Sequence, residues 1–425
     1  MNSTSRYALL AALGLAIVSV TPAMPAFAKK KEEEAAKGPQ IKLTPAVANA
    51  LAPAQAALGK NDVVTAEAAI AKARLGAKTP DDNYMIAQFV LNAAQVSKDQ
   101  VKLAAALDEL IATGEIAQKL TNEDKAKFYS FQGQFAYQAK NYIKAEEAMT
   151  KALAAGNADS NVLVIMADSQ SRSNKTAASV VTIQKAIDAE RAAGRQPAES
   201  WFELGSNSAA MANMVDPYVT VSAQWLETYP ELKSWANVLN NYRAVAKLNQ
   251  QVDLDLLRLA RASGAMAQMT SREYHDLMLG VYRAYPAEAV AVIKEGIAAG
   301  KVNTTTDRDA RELLPLSEGK IVVEKKTLAA DSAAASAPAA KASAAIAMGD
   351  VWYGYQDFAK AAGLYKVALT KPGVDADLAN LRLGASLAQG GDKAGALAAL
   401  NNVKNKPYAD LATFWKVWIG HPATS

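Results

Sequence analysis

GQFAYQAKNYIKAEEAMTKALAAG, residues 133–156, is matched by GDVWYGYQDFAKAAGLYKVALTKPG, residues 349–373. The two phrases align Gly133 with Gly349, Ala145 with Ala361 and Ala152 with Ala368, 216 residues apart. In each, apolar residues recur at spacings of three and four, the period of an α-helix, and a polar turn such as AKNY (139–142) divides the phrase in two. The predicted unit is therefore a pair of antiparallel helices. Such helices approach closely only where side chains are small, with a large residue one turn away filling the adjoining hole. One hairpin cannot bury its own apolar faces, so the phrase must recur wherever a further unit is stacked.

The same texture runs from Ile41 onward: alanine-rich segments cut by turns such as GKND (59–62), QPAES (196–200) and GGDK (390–393), with IVVEKK (321–326) the one short strand candidate. Gly133, Ala167 and Gly205 stand 34 and 38 residues apart, and Gly349 and Gly384 stand 35 apart. This spacing, with the sets Gly133, Tyr142, Ala145, Met149, Ala152 and Gly349, Phe358, Ala361, Tyr365, Ala368, resembles the tetratricopeptide repeat, whose period is about 34 residues. Weaker copies are Ala54, Val63, Ala66, Ile70, Ala73, then Ala167, Ser179, Ile183, Ala186, and Gly384, Ala396, Leu400, Val403. The resemblance implies an all-α, helical-hairpin solenoid, a right-handed superhelix with divergent middle repeats. WFELG (201–205) opens a unit well, but Pro217 falls where a small second-helix residue belongs and AMANMVDPY reads as an enlarged turn. Residues 231–316 keep hairpin texture without the signature residues.

A chain of 425 residues exceeds what one compact core serves, so two domains or an elongated array is expected. Arg6, the thirteen-residue run Ala8–Val20 and the small residues Ala26 and Ala28 predict an export signal cleaved after residue 28. The alternative, a membrane anchor, needs roughly 20 apolar residues. Residues 29–40 read as a charged leader, 41–316 as an N-terminal repeat array, 317–345 as an Ala/Ser-rich linker, and 346–425 as a C-terminal repeat pair closed by a capping helix on which Leu411, Trp415, Trp418 and Ile419 share a face. The Ala-rich stretch could instead extend a helix, because alanine has the highest helix propensity.

Loss of Arg6 with the signal leaves 45 basic against 42 acidic residues, a balance that argues against nucleic acid as the partner. An exported chain with no cysteine has no disulfide, no thiolate metal site and no cysteine for an N-terminal lipid. The expected location is the periplasm, with secretion as the alternative, and no integral membrane segment is expected after cleavage.

Little in the sequence carries chemistry. The two histidines, His275 and His421, lack neighbours at metal-ligand spacing, so no metal, cofactor or catalytic residue is expected. SEGK (317–320) has the S-x-x-K spacing of penicillin-recognising enzymes without their S-D-N and K-T-G partners, and Ser386 lacks the strand of a nucleophile elbow. The acidic pairs Asp81/Asp82, Glu146/Glu147 and Asp253/Asp255 read as solvated helix faces. What remains is binding. The resemblance implies a concave groove lined by first helices at positions one and four or five after the signature glycine: Gln134, Tyr137, Gln138, Asp168, Ser171, Arg172, Asp350, Tyr353 and Gln389. Such a groove suits a protein or an extended peptide. The expected function is a non-enzymatic scaffold of the cell envelope. The alternatives are a helical-solenoid enzyme acting on cell-wall glycan or exported polysaccharide, and a self-assembling structural array.

Overall fold

The turns decide where each helix ends. In hairpin after hairpin one residue takes the left-handed conformation and the next caps the following helix: Asn61 (φ 58°) before Asp62, Lys98 (56°) before Asp99, Lys140 (59°) before Asn141, Gln356 (61°) before Asp357, Gly391 (88°) before Asp392. Each cap side chain accepts a backbone N–H of the first turn, as Asp62 does from Thr65 and Asn141 from Lys144. The computed structural model describes residues 40–424, and these are all-α with one isolated β-bridge. The predicted signal segment and nearly all of the charged leader lie outside them.

The chain divides into two compact units at Ser173/Asn174. The first contains α1 (Pro45–Leu58), α2 (Val63–Gly76), α3 (Pro80–Ser97), α4 (Gln100–Ile116), α5 (Asn122–Gln138), α6 (Tyr142–Ala154) and α7 (Ser160–Arg172). The second contains α8 (Thr176–Ala192), α9 (Glu199–Met211), α10 (Val215–Thr228), α11 (Leu232–Ala246), α12 (Gln250–Ala262), a 3-10 turn (Ala265–Gln268), α13 (Ser271–Val281), α14 (Pro286–Ala298), α15 (Arg308–Ser336), α16 (Ala342–Gly354), α17 (Phe358–Leu369), α18 (Ala376–Gln389), α19 (Lys393–Leu400) and α20 (Tyr408–Gly420).

The small residues of the repeated phrase sit where the hairpin helices touch. A Cβ on Gly133 would stand 2.8 Å from Met149, one on Gly349 2.6 Å from Tyr365, and one on Gly384 2.5 Å from Leu400, which are the large signature residues of the same hairpins. Ala66, Ala145, Ala152, Ala361, Ala368 and Ala396 are fully buried. The helical-hairpin solenoid expected from the sequence is the observed fold class.

Three expectations are corrected. Residues 317–336 are no linker but the C-terminal part of α15, which runs unbroken for 29 residues and includes IVVEKK. Leu328 and Ala335 pack on Met348 of α16 and Leu364 of α17, and Trp352 Nε1 donates to Ser332 Oγ at 2.8 Å. Alanine's helix propensity together with that burial outweighs the low-complexity composition. AMANMVDPY is not an enlarged turn: three residues join α9 to α10, with Asn213 left-handed (φ 54°), and Pro217 lies in the first turn of α10, where an N–H has no intrahelical acceptor. Finally, α20 does more than cap the last repeat. It packs on α18 and α19 and also on α10 and α12, with Tyr242 donating to Asp410 at 3.0 Å and stacking edge-on against Phe414. Thr424 then bridges to Glu231, ahead of α11. The C-terminal hairpins of the second unit are thus folded back on its own earlier helices.

Candidate functional site

In the first unit, α5 and α7 bring three of the predicted groove residues together. Tyr137 is four residues past Gly133 on the half-buried side of α5, and its hydroxyl donates to Asp168 Oδ2. Arg172, one turn further along α7, donates through Nε to the same oxygen at 2.8 Å. Its guanidinium lies 6.0 Å from the Tyr137 ring centroid and 5.4 Å from that of Tyr142, and these rings meet edge to face at 5.7 Å. Burial and then the Asp168 carboxylate push the Tyr137 hydroxyl up to about 12, so it remains a donor at any physiological pH. Arg172 bonds Asp168 through Nε while its side chain is 50% exposed, so the outer edge of the guanidinium faces solvent. Gln138 is exposed, Ser171 is half-buried, and Gln134 is half-buried with its amide donating to Ser130 Oγ at 3.3 Å. The arrangement offers two aromatic edges, a fixed cation and an amide on one surface.

The second unit places the equivalent residues inside. Asp350, one past Gly349, and Tyr353, four past it, are 1% and 4% exposed, and Gln389 donates to the Tyr353 hydroxyl. Asp350 and Tyr353 are not available to a partner, contrary to the groove reading, while Gln389 is half-buried and held by its bond to Tyr353. The space they would line is filled by α12 and α14. Arg258 of α12 lies 4.7 Å from the Tyr353 ring centroid and 5.4 Å from that of Tyr285. It donates to Glu288 twice, at 2.9 and 2.6 Å, and to Asp350 at 3.0 Å. Arg382 of α18 completes the cluster with Asp350 at 2.5 Å and a forked pair to Asp255 at 2.9 and 3.1 Å. Tyr285 and Tyr365 also donate to Asp350, at 3.0 and 2.8 Å.

Three carboxylates and two guanidiniums, none more than 4% exposed, therefore share one interior site. Burial alone would raise the Asp350 pKa, but Arg382, Arg258 and the Tyr365 hydroxyl outweigh it and hold that carboxyl below its ordinary range. Asp255 has fewer donors, and there burial wins and the pKa is raised. Every member is paired inside the cluster, which makes it a joint between helices rather than an open reaction centre.

The sequence reading missed this joint. Asp255, read as solvated, lies three residues after Val252 and four before Leu259, both buried, so its place on the apolar face of α12 was legible from helical period. Asp82, also read as solvated, is fully buried and accepts from the backbone N–H groups of Thr44, Lys78 and Thr79. Asp253 accepts from Arg243 at 2.5 and 2.6 Å. Ser317 and Ser386 are buried within helices, and the Lys320 ammonium lies over the Tyr282 ring. His275, read as an ordinary helix residue, pairs through Nε2 with Asp307, the cap of α15, while Nδ1 stands 2.8 Å from the Ser271 carbonyl oxygen. Among the described residues no group of three or more His, Cys, Asp or Glu could hold a metal ion, and no described helix is long and apolar enough to cross a membrane.

No protein-family model matches the chain, and no curated protein does. Among solved structures it is similar to a tetratricopeptide repeat protein from Parabacteroides merdae ATCC 43184, at 10% identity and a TM-score of 0.30, over 81% of this chain and 100% of that one. It is also similar to the TPR2AB domain of yeast Sti1 in complex with pHSP90, at 14% identity and a TM-score of 0.23, over 69% of this chain and 98% of that one. A third is Naa15/Naa10 bound to HypK-THB, at 12% identity and a TM-score of 0.23, over 87% of this chain and 66% of that one.

Proposed function

We propose that this chain is a non-enzymatic protein-binding scaffold, exported to the periplasm, which captures a protein or extended peptide on the first-helix face of its first unit around Tyr137, Gln138 and Arg172. One observation carries the reading: Arg172 is held in place by Asp168 and two tyrosine rings, yet half of its side chain stays in solvent. Tyrosine and arginine are the residues that most often anchor interfaces, and an anchor whose rotamer is already fixed loses less entropy on binding. The densest cluster of ionisable groups in the second unit is sealed and internally paired, which favours a structural rather than a catalytic role for it. Export is supported by the Arg6, Ala8–Val20 and Ala26/Ala28 pattern, and the intact mass of the periplasmic form tests it.

The binding reading is tested by replacing Tyr137, Gln138 and Arg172 together with alanine and comparing crosslinked envelope pull-downs by mass spectrometry. Loss of one or more specific partners is expected, with the helical signal retained. An unchanged partner set from a folded variant refutes the reading.

A further inference from the structure

The opposite, second-helix side of the first unit carries a different surface. Val64 and Leu75 on α2 are 79% and 90% exposed, and Val101 and Ile116 on α4 are 80% and 71% exposed. These are the largest exposures of any big aliphatic side chain among the described residues. They are not scattered. Val64, Ala71 and Leu75 follow one another at seven and four residues along α2, and Val101, Ala105 and Ile116 at four and eleven along α4, so each set lies along one helix face. Ala71 and Ala105 also line a cleft of about 340 Å³ between the two helices, whose floor includes Ile70, Val90 and Ala94. Two ion pairs cross this cleft, Glu67 with Lys102 at 2.8 Å and Arg74 with Glu109 at 2.7 Å. The two pairs share an offset of 35 residues, so α2 and α4 run parallel and in register here.

The charge order is what selects an occupant. Along α2 it is minus then plus, and along α4 it is plus then minus, each seven residues apart. A second copy turned by a two-fold axis lying in the face and crossing both helices would lay each helix antiparallel on its own equivalent. Glu67 would then meet the second copy's Arg74, and Lys102 its Glu109. Leu75 would fall beside the second copy's Val64, and Ala71 and Ala105 would lie nearest the axis, where small side chains permit close approach. The surface is complementary to itself in charge and in helix direction, and along α2 in the placement of its aliphatic residues. We propose that the α2/α4 face of the first unit is a two-fold homodimer interface, separate from the proposed partner surface on α5 and α7.

The natural absence of cysteine makes the axis testable in the exported full chain. Under mild oxidation Ala71→Cys should give a disulfide-linked dimer at low micromolar concentration, whereas Gln138→Cys, on the other surface, should remain a monomer on a non-reducing gel. Light scattering of the unmodified protein should report a dimer, and Val64→Glu with Leu75→Glu should weaken it by about 100-fold or more, since hot-spot losses count once per copy. Both altered residues are exposed, so circular dichroism should be unchanged. A monomer by light scattering up to several hundred micromolar overturns the proposal and assigns the face to another protein or to the chain's own leader. A dimer that survives the double substitution, or that crosslinks equally at both cysteine positions, overturns it as well.

Discussion

Tyr137 and Tyr353 occupy the same register of the same repeated phrase, four residues past Gly133 and Gly349, and end in opposite surroundings. Tyr137 is half-buried and shares Asp168 with an arginine that reaches solvent. Tyr353 is sealed beneath Arg258, which the chain's own α12 supplies. In both places an arginine lies over a tyrosine ring and bonds a carboxylate. In the first unit that arginine stands at an open surface, and in the second it belongs to a helix that fills the groove. The repeat therefore provides a register, and the neighbouring chain decides whether that register faces solvent or serves as an internal joint.

The six tryptophans, residues 201, 225, 235, 352, 415 and 418, all lie in the second unit, so their fluorescence follows that unit alone while circular dichroism follows both. The largest expected effect is that of Arg258→Ala. It leaves Glu288 buried without its forked partner and should cost the fluorescence-detected transition about 3–5 kcal/mol, with the first unit unmoved. Equal shifts by both probes would show that the two units unfold together.

Next come the close contacts between hairpin helices. Ala361→Leu should destabilise the second unit, and Ala145→Leu the first, by about 1–3 kcal/mol each, because methylenes are forced between packed helices. Only the former should move the fluorescence transition. Gly349→Ala belongs in the same range, since the new methyl meets the ring of Tyr365, which is held by its bond to Asp350. Gly133→Ala should cost less than about 1 kcal/mol, because it meets the flexible end of Met149. A reversed order of the two glycine variants would contradict the view that the second unit's joint is the more rigid.

The smallest effect is that of pH on His275. Burial pulls its pKa down, but the Ser271 carbonyl and the Asp307 carboxylate outweigh burial and raise it above the ordinary histidine value. Its contribution is thus complete below the unfolded-state pKa of about 6.5 and is lost as pH rises through the folded-state value. Relative to His275→Asn, the wild-type second unit should be favoured at pH 6 and lose that advantage toward pH 8, by less than about 1 kcal/mol. An advantage that grows with pH would reverse the sign.

The hairpin class was legible because it depends on local facts: which residues are small, which cap and which turn. Gly133, Ala145 and Asn141 each perform in the structure the task their spacing suggests. The site was half legible. Tyr137, Asp168 and Arg172 meet because adjacent first helices lie side by side, which the repeat register predicts. The burial of Asp350 and Tyr353 depends on α12 and α14 arriving from about 60 to 90 residues earlier, in hairpins without signature residues, and no local pattern announces such a return. Composition misled at 328–345, where alanine-rich sequence serves helix and linker equally well until Leu328 and Ala335 find a surface.

Gln138 and Gln389 test the comparison most directly, since each stands five residues past its repeat glycine, one exposed and the other bonded to Tyr353. A photoreactive phenylalanine analogue would be introduced at each position in turn and the protein irradiated in the cell envelope. The account predicts intermolecular adducts with a specific protein from position 138 and only intramolecular products from position 389. Intermolecular capture of that protein from 389, with none from 138, would contradict it.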